Sequence, residues 1–135
     1  MKITIYNEEY DVNLALYNTE DFMGIKRPSL AIFLSNEMGE SFVTVSFGEF
    51  IGLKDATYMD INNAPFVTEF IKQGYAQDTG FTKGSGFVNY PLYQFDAEFL
   101  KSCSAEIYAE YEKEYNKAIN SFINEEGEDS NDDNA

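Results

Sequence analysis

The chain has 135 residues and a formal net charge of −15, which comes from 24 acidic and 9 basic residues. This length predicts one domain, and a hydrophobic content of 44% is sufficient for a core. The negative charge disfavours binding to nucleic acid and to anionic membranes and favours basic partners, although an acidic surface can also serve solubility alone.

The composition excludes several kinds of active site. The sequence has no histidine and one cysteine, Cys103, which rules out His-dependent triads, His-metal sites and a disulfide within the chain. The glycine-rich GFTKGSG lacks the Gly-Lys-Ser/Thr of a phosphate loop. Asp129, Asn131 and Asp133 have the first spacings of a calcium loop, without its glycine and its distant glutamate. We predict no catalytic, cofactor-binding or metal-binding residue, and a protein that is not an enzyme.

The hydropathy pattern predicts a cytoplasmic protein. No stretch approaches the roughly 18–20 apolar residues of a membrane span. The N-terminal MKITIYNEEY lacks the long apolar region of a secretory signal.

The first half of the chain predicts two β-hairpins. Alternating apolar residues favour strands at residues 2–6 and 10–17. Residues 18–28, with a Gly and a Pro, are predicted to form a loop. The apolar runs SLAIFL (29–34) and FVTVSF (42–47) flank a turn with a glycine, which is typical of a hairpin.

The second half predicts a short strand at 58–61 and then a short helix. Asn62 or Asn63 can cap the start of this helix, and Pro65 suits its first position. Gly74 can end it in a left-handed conformation. The following strand reaches Phe95 and contains a proline, so we expect it to be an edge strand or to be bulged.

The C-terminal part predicts one long helix, residues 97–124, with Asp96 as its N-cap. An apolar stripe along it is expected to pack on the sheet; its members are Leu100, Cys103, Ile107, Tyr111, Ala118 and Phe122. Residues 125–135 carry six acids and are predicted to be a disordered tail. The predicted fold is a single α+β domain, 1–124, with an antiparallel sheet of four to five strands, one short helix and one long C-terminal helix.

The candidate binding residues are acids and tyrosines. Residues 1–124 alone carry 18 acids against 9 bases, so the charge excess is spread through the folded body. A surface that imitates nucleic acid needs acids from several elements, because duplex DNA carries one charge per roughly 1.7 Å. The predicted partner-binding residues are Glu8, Glu9, Asp11, Glu20, Asp21, Glu49, Asp55, Asp60, Glu106, Glu110, Tyr108, Tyr111 and Tyr115.

Residues 29–100 resemble a family of small uncharacterised proteins that are encoded on conjugative elements, plasmids and phages of bacteria. The resemblance is carried by DINNAPFVTEFI and by TGFTKGSGFVNYPLYQFDAEFL. The matching residues are Asp60, Asn62, Asn63, Pro65, Phe66, Gly84, Gly86, Tyr90, Pro91, Leu92, Tyr93 and Phe95. The long final helix and the tail lie outside it.

The resemblance implies a context and no chemistry. Proteins carried by mobile elements often inhibit host restriction or CRISPR defences, and many of those inhibitors are small and acidic. The leading hypothesis is therefore a binding inhibitor of a host nucleic-acid-processing defence protein. The first alternative is an accessory module that binds another mobile-element protein through the aromatic face of Tyr108, Tyr111 and Tyr115. The second is an enzyme that uses paired carboxylates.

Overall fold

The computed structural model describes residues 1–126, and the side chains as far as residue 123. The predicted α+β class is confirmed, with the strands divided between two antiparallel sheets of four strands each. The strands are β1 Lys2–Ile5, β2 Glu8–Glu20, β3 Lys26–Asn36, β4 Gly39–Phe42, β5 Thr44–Val45, β6 Ala56–Met59, β7 Ala76–Ser85 and β8 Val88–Phe95. The helices are α1 Thr68–Lys72, after a 3₁₀ turn at Pro65–Val67, α2 Ala97–Cys103 and α3 Ala105–Glu126.

The first sheet has the strand order β1-β2-β3-β4. The predicted N-terminal hairpin is present, and its two central residues, Tyr6 and Asn7, both have positive φ, as a tight two-residue hairpin turn requires. In the β2–β3 register Val12 faces Leu34, and Leu14 faces Ile32. These buried pairs lie on one face of the sheet and fix its register.

The prediction of a loop at residues 18–28 is wrong, because β2 runs to Glu20 and β3 begins at Lys26. Asp21 makes the tight connection possible. Its carboxylate accepts hydrogen bonds from the amides of Met23 (2.9 Å) and Ile25 (3.0 Å) and pairs with Arg27. The local turn chemistry of one aspartate thus replaces a longer loop.

The chain passes from one sheet to the other at Val43, which interrupts the predicted strand 42–47. The Val43 amide donates to Ile32 in the first sheet (3.0 Å), and its carbonyl accepts from the Asp60 amide beside the second sheet (2.9 Å). The Val43 side chain is fully buried. This residue therefore ties the two sheets together.

The second sheet has the order β5-β6-β8-β7, which places the proline-containing strand β8 inside the sheet. Pairing of β8 with β6 ends at Leu92, and opposite β8 the strand β7 changes register between Asp78 and Thr82. The prediction that the strand with Pro91 is an edge strand or is bulged is therefore wrong for an edge strand. The irregularity opposite Pro91 lies in the partner strand β7.

The short helix ends as predicted, at Gly74 with a φ of +84°. The Gly74 amide donates to Ile71 (3.0 Å), and the Tyr75 amide donates to Phe70 (2.9 Å). These two bonds form a Schellman cap. At the start of the helix, the predicted caps Asn62 and Asn63 do not bond its first amides with their side chains.

The long C-terminal helix is in fact two helices, because Ser104 has an extended backbone between them. Asp96 caps α2 as predicted by accepting from the Phe99 amide, and the Ser104 hydroxyl caps α3 by accepting from the Ile107 amide. Of the predicted apolar stripe, Leu100, Tyr111 and Ala118 are buried, whereas the other three residues are half-buried. The stripe missed Tyr108, which is 1% exposed.

Cys103 is half-buried beside the core, and burial raises the pKa of its thiol to about 12. We expect native Cys103 to react with an aromatic disulfide reagent at pH 8 about 10³-fold more slowly than the unfolded chain, because little thiolate is present. Absorbance of the released thiolate, followed with and without denaturant, measures the ratio. Equal rates would contradict the structure.

The C-terminal boundary of the fold lies slightly beyond the predicted one. The helix α3 reaches Glu126, two residues beyond the predicted domain boundary; the rest of the predicted disordered tail, 127–135, lies outside the described residues. Within residues 1–126, no helix is long and apolar enough to cross a membrane.

Candidate functional site

At one end of the first sheet, exposed acidic side chains line an open groove of about 590 Å³. Three predicted residues, Glu8, Glu9 and Asp11, line it together with Glu37. An adjoining groove shares Glu8 and adds Glu40. We call these five residues the acidic corner. All five are exposed, so their charges are directed at solvent or at a partner.

The register of the sheet explains how the acidic corner forms. Strands β2 and β3 are antiparallel, and Asp11 lies opposite Ser35. The start of β2 therefore lies beside the turn that carries Glu37, which follows β3. Glu37 and Glu40 were not among the predicted binding residues, because only the pairing of β2, β3 and β4 brings them to this end of the sheet.

A single ammonium group, that of Lys2, lines the groove among these acids. Its Nζ lies 3.1 Å from an oxygen of Asp11 and 3.7 Å from an oxygen of Glu9. The hydrogen bond to Asp11 and the charges of both carboxylates raise the pKa of Lys2. Lys2 thus holds two acids together, and the corner keeps a net negative charge.

Apolar side chains border the acidic corner. Met38 lines both grooves and is 91% exposed at the tip of the β3–β4 turn. Tyr10 and Phe66 line the adjoining groove. Methionine and aromatic residues with charged groups around them are typical of protein interfaces.

A second set of predicted acids lies near the β2–β3 turn. The structure brings Glu20 and Glu49 together, since the Glu20 amide donates to Gly48 and the Phe50 amide donates to Glu20. Glu49 is engaged in an ion pair with Lys83. Asp21 is 4% exposed in its pair with Arg27, and so it belongs to the turn. Burial acts to raise the pKa of Asp21, but its amide and guanidinium donors outweigh burial and lower it.

Two predicted acids are in the interior, which corrects their assignment to a contact surface. Asp55 and Asp60 are each 9% exposed. Asp60 accepts hydrogen bonds from the amide and the side chain of Asn63 (3.2 and 3.1 Å), and so fixes the turn before α1. Asp55 has a φ of +64° and accepts a hydrogen bond from the Tyr108 hydroxyl (2.8 Å).

The three tyrosines of α3 were predicted to form an aromatic face that binds a partner. This prediction is wrong, because they do not form an exposed face. Tyr108 and Tyr111 are 1% and 2% exposed. The Tyr111 hydroxyl accepts from the Asp55 amide (2.8 Å), and the Tyr115 hydroxyl donates to the carbonyl of Gly52 (2.7 Å). The three tyrosines hold the segment 52–55 against α3. We call Tyr108, Tyr111 and Tyr115 the tyrosine clasp. The pKa of each of the three phenols is raised, and burial is the largest cause.

The helix acids Glu106 and Glu110 are exposed, as predicted. They lie on α3 and line neither groove of the acidic corner. The structure therefore does not join them to Glu8, Glu9 and Asp11.

The buried carboxyl of Asp55 supports a pH-dependent prediction. Burial, partly offset by the Tyr108 hydroxyl, raises the pKa of Asp55 above 3.8. A raised pKa means that Asp55 favours folding below pH 3.8 and loses this contribution as the pH rises through the native pKa. Asn tolerates positive φ and keeps the acceptor for Tyr108, but it cannot ionise.

We therefore expect Asp55→Asn to raise the Tm relative to the parent protein at neutral pH. This advantage should shrink as the pH falls through the native pKa of Asp55 and should be lost below about pH 3.8. Circular dichroism melts of both proteins between pH 3 and pH 8 measure the difference. A difference that is constant, or that grows towards acid pH, would contradict the assignment.

Within residues 1–126, no cluster of three or more Cys, Asp or Glu side chains has the geometry to hold a metal ion. Every buried side-chain polar atom in that part of the chain has a hydrogen-bond partner. Comparisons with protein-family models, with curated proteins and with solved structures found no match.

Proposed function

We propose that the protein is a non-enzymatic binding protein whose acidic corner contacts a basic partner. The observation that carries the proposal is the convergence of Glu8, Glu9, Asp11 and Glu37 on one open groove, with Lys2 as its ammonium group. Glu37 comes from a different part of the sequence and joins the other three acids through the pairing of β2 with β3. Carboxylates brought together at one corner focus a negative field on an approaching cation.

Charge and shape suit a protein partner. The net charge of −15 accelerates encounter with basic surfaces and repels nucleic acid itself. Exposed Met38 beside the acids supplies an apolar contact that can be desolvated on binding. The partner predicted by this chemistry has a lysine- or arginine-rich groove with an apolar floor.

We further propose that the partner's basic groove binds nucleic acid, in a host defence protein of the restriction or CRISPR type. Glu9 and Asp11 are two residues apart on β2, so their side chains lie on one face about 6.8 Å apart by the strand rise. A DNA strand carries one phosphate per roughly 3.4 Å. The corner would thus occupy a few phosphate sites and not a whole duplex footprint, which is sufficient to block a groove. The resemblance to proteins of mobile elements supports this role by association, with the cytoplasm of a bacterial host as its location.

A defence assay in cells tests this role. Bacteria with an active restriction or CRISPR system are transformed with a targeted plasmid, with and without the protein. We expect the protein to raise transformation at least about tenfold. The variant Glu8→Gln/Glu9→Gln/Glu37→Gln should lose this effect, because each exposed charge contact contributes up to about 1 kcal/mol.

The matched control is Glu98→Gln/Glu106→Gln/Glu110→Gln, which removes the same charge from α2 and α3, and it should keep the activity. Equal transformation with and without the protein in every defence system tried would remove the defence role. Equal loss in both variants would show that net charge matters and the corner does not.

An apolar patch favours a second candidate, an accessory module that binds another protein without a defence role. Phe22, Met23 and Ile25 are 78%, 58% and 45% exposed at the β2–β3 turn. The Phe22 ring stacks on Phe122 of α3, with centroids 5.4 Å apart. A partner bound at this patch would resist high salt, whereas one bound at the acidic corner would dissociate.

A further inference from the structure

A cavity of about 300 Å³ lies at the junction of the two sheets, beneath the segment 46–53. Strands of both sheets contribute to its wall, with Tyr17 from β2, Tyr58 from β6 and Leu92 from β8. Phe47 and Phe50 close it from the segment above. We call it the inter-sheet cavity. Its size and apolar wall are typical of a site for a small molecule.

The rings of the wall already meet edge to face. Phe47 lies 5.3 Å from Tyr58, with an angle of 88° between the ring planes. Phe47 also lies 5.7 Å from the ring of Tyr90, at 62°, although Tyr90 does not line the cavity. Aromatic rings prefer such arrangements, and a further ring can extend the cluster in the same way.

Three polar side chains of the cavity, those of Tyr17, Thr57 and Lys83, are already paired. The Tyr17 hydroxyl bonds to the Thr44 hydroxyl (2.7 Å), and the Thr57 hydroxyl donates to the carbonyl of Leu30 (2.9 Å). Lys83 pairs with Glu49 and lies 5.2 Å above the ring of Phe47. A charged ligand would therefore have to break an existing ion pair, and the net charge would repel an anion further.

The mouth of the cavity carries an exposed aromatic ring. Phe81 lines the cavity and is 67% exposed. It follows Gly80, with a φ of +85°, in the bulged part of β7, where the Thr79 hydroxyl accepts from the Phe81 amide (3.2 Å). Bulges commonly redirect a side chain next to a site. Here the bulge places a large apolar ring at the entrance, where it would cover a bound ligand.

We propose that the inter-sheet cavity binds a small, uncharged, planar aromatic molecule, with Phe81 as a cover at its mouth. The aromatic wall, the pairing of Tyr17, Thr57 and Lys83, and the bulge support the assignment independently of the acidic corner. The proposal does not rest on the proposed function.

Titration with indole, followed by amide NMR spectra of the full chain, tests the proposal. We expect saturable shifts centred on Val45, Tyr58 and Phe81, with a Kd of about 1 mM or tighter. Two charged analogues should bind at least about fivefold more weakly, namely indole-3-acetate as the anion and tryptamine as the cation, because each leaves an existing ion pair broken or a charge unpaired.

Variants at two exposed aromatic residues of one hairpin give the matched comparison. Phe81→Ala should weaken indole binding at least about threefold, since it removes the cover. Phe87→Ala should leave the affinity unchanged, because Phe87 lies at the hairpin tip, is fully exposed and does not line the cavity. A third variant, Val45→Phe, fills the cavity and should abolish binding. If this variant does not fold, the comparison of indole affinity between Phe81→Ala and Phe87→Ala still tests the proposal.

Shifts that stay linear in indole concentration, or that lie away from the cavity, would overturn the proposal. Tighter binding of either charged analogue would overturn the uncharged class. Equal weakening by Phe81→Ala and Phe87→Ala would remove the role of the mouth.

Discussion

Replacing Tyr111 with Ala is expected to lower the free energy of unfolding by about 3–5 kcal/mol, the range for a large aromatic residue removed from a core. Tyr111 is 2% exposed and packs between Tyr108 and Tyr115, with ring centroids 6.0 and 5.9 Å away. Its hydroxyl is the partner of the Asp55 amide, in a residue with positive φ. The substitution therefore leaves a cavity and an unpaired buried donor together.

Thermal and urea unfolding of the variant measure this loss, which should lower the Tm by about 10–20 °C for a chain of this size. Tyr111→Phe keeps the ring and removes only the hydroxyl, so it should cost about 1–3 kcal/mol. Phe87→Ala, at a fully exposed ring, should change stability by less than about 0.5 kcal/mol. If Tyr111→Ala were as stable as the parent protein, the tyrosine clasp would not hold the segment 52–55.

Removing three charges from the acidic corner is expected to weaken binding to a basic peptide about tenfold at low salt. The change is Glu8→Gln/Glu9→Gln/Glu37→Gln, and nona-arginine with a fluorescent label serves as the peptide. Each exposed contact contributes about 0.5 kcal/mol, and three together give roughly 1.5 kcal/mol, which is about tenfold in Kd. Fluorescence polarisation measures the affinity of each variant.

The comparison with Glu98→Gln/Glu106→Gln/Glu110→Gln separates a local effect from a general one. This variant loses the same charge from exposed positions on α2 and α3, and its affinity should change less than about threefold. Both variants should keep the Tm of the parent protein within a few degrees, since the ion pairs that they remove, Lys2–Glu9 and Lys101–Glu98, are exposed and contribute at most about 1 kcal/mol each. Equal weakening would mean that nona-arginine senses only the net charge.

The sequence predicted what local patterns control. Alternation in residues 2–6 and 10–17 located the first hairpin, and Gly74 located the end of α1, because backbone conformation there depends on neighbouring residues. Asp96 was identified as a cap for the same reason. The α+β class followed from these elements.

What the sequence did not reveal depends on contacts between distant residues. The split of one run at Val43 into two sheets follows from hydrogen bonds to Ile32 and Asp60, which no local pattern encodes. Tyr108, Tyr111 and Tyr115 were expected at a surface because a tyrosine has a polar tip. The segment 52–55 supplies partners for all three hydroxyls, and those of Tyr108 and Tyr111 are in the interior. The same hydrogen bonds give partners to the amide and the carboxylate of Asp55, which was predicted to bind a partner at the surface.

The candidate site was predicted in part for a similar reason. Glu8, Glu9 and Asp11 are close in sequence, and their clustering needed no tertiary information. Glu37 joins them only through the long β2–β3 pairing. The tight turn at Asp21 makes this pairing possible. It was not predicted, because residues 18–28 have the composition of a loop.

The most direct test of the acidic corner is affinity capture from a bacterial lysate, with elution in steps of salt between about 0.05 and 0.5 M. The immobilised parent protein and the two triple Glu→Gln variants are compared side by side. We expect the parent protein and the α2/α3 variant to retain a basic protein at low salt and to release it as the salt concentration rises. The corner variant should fail to retain this protein. A partner that all three proteins retain equally at high salt would contradict it.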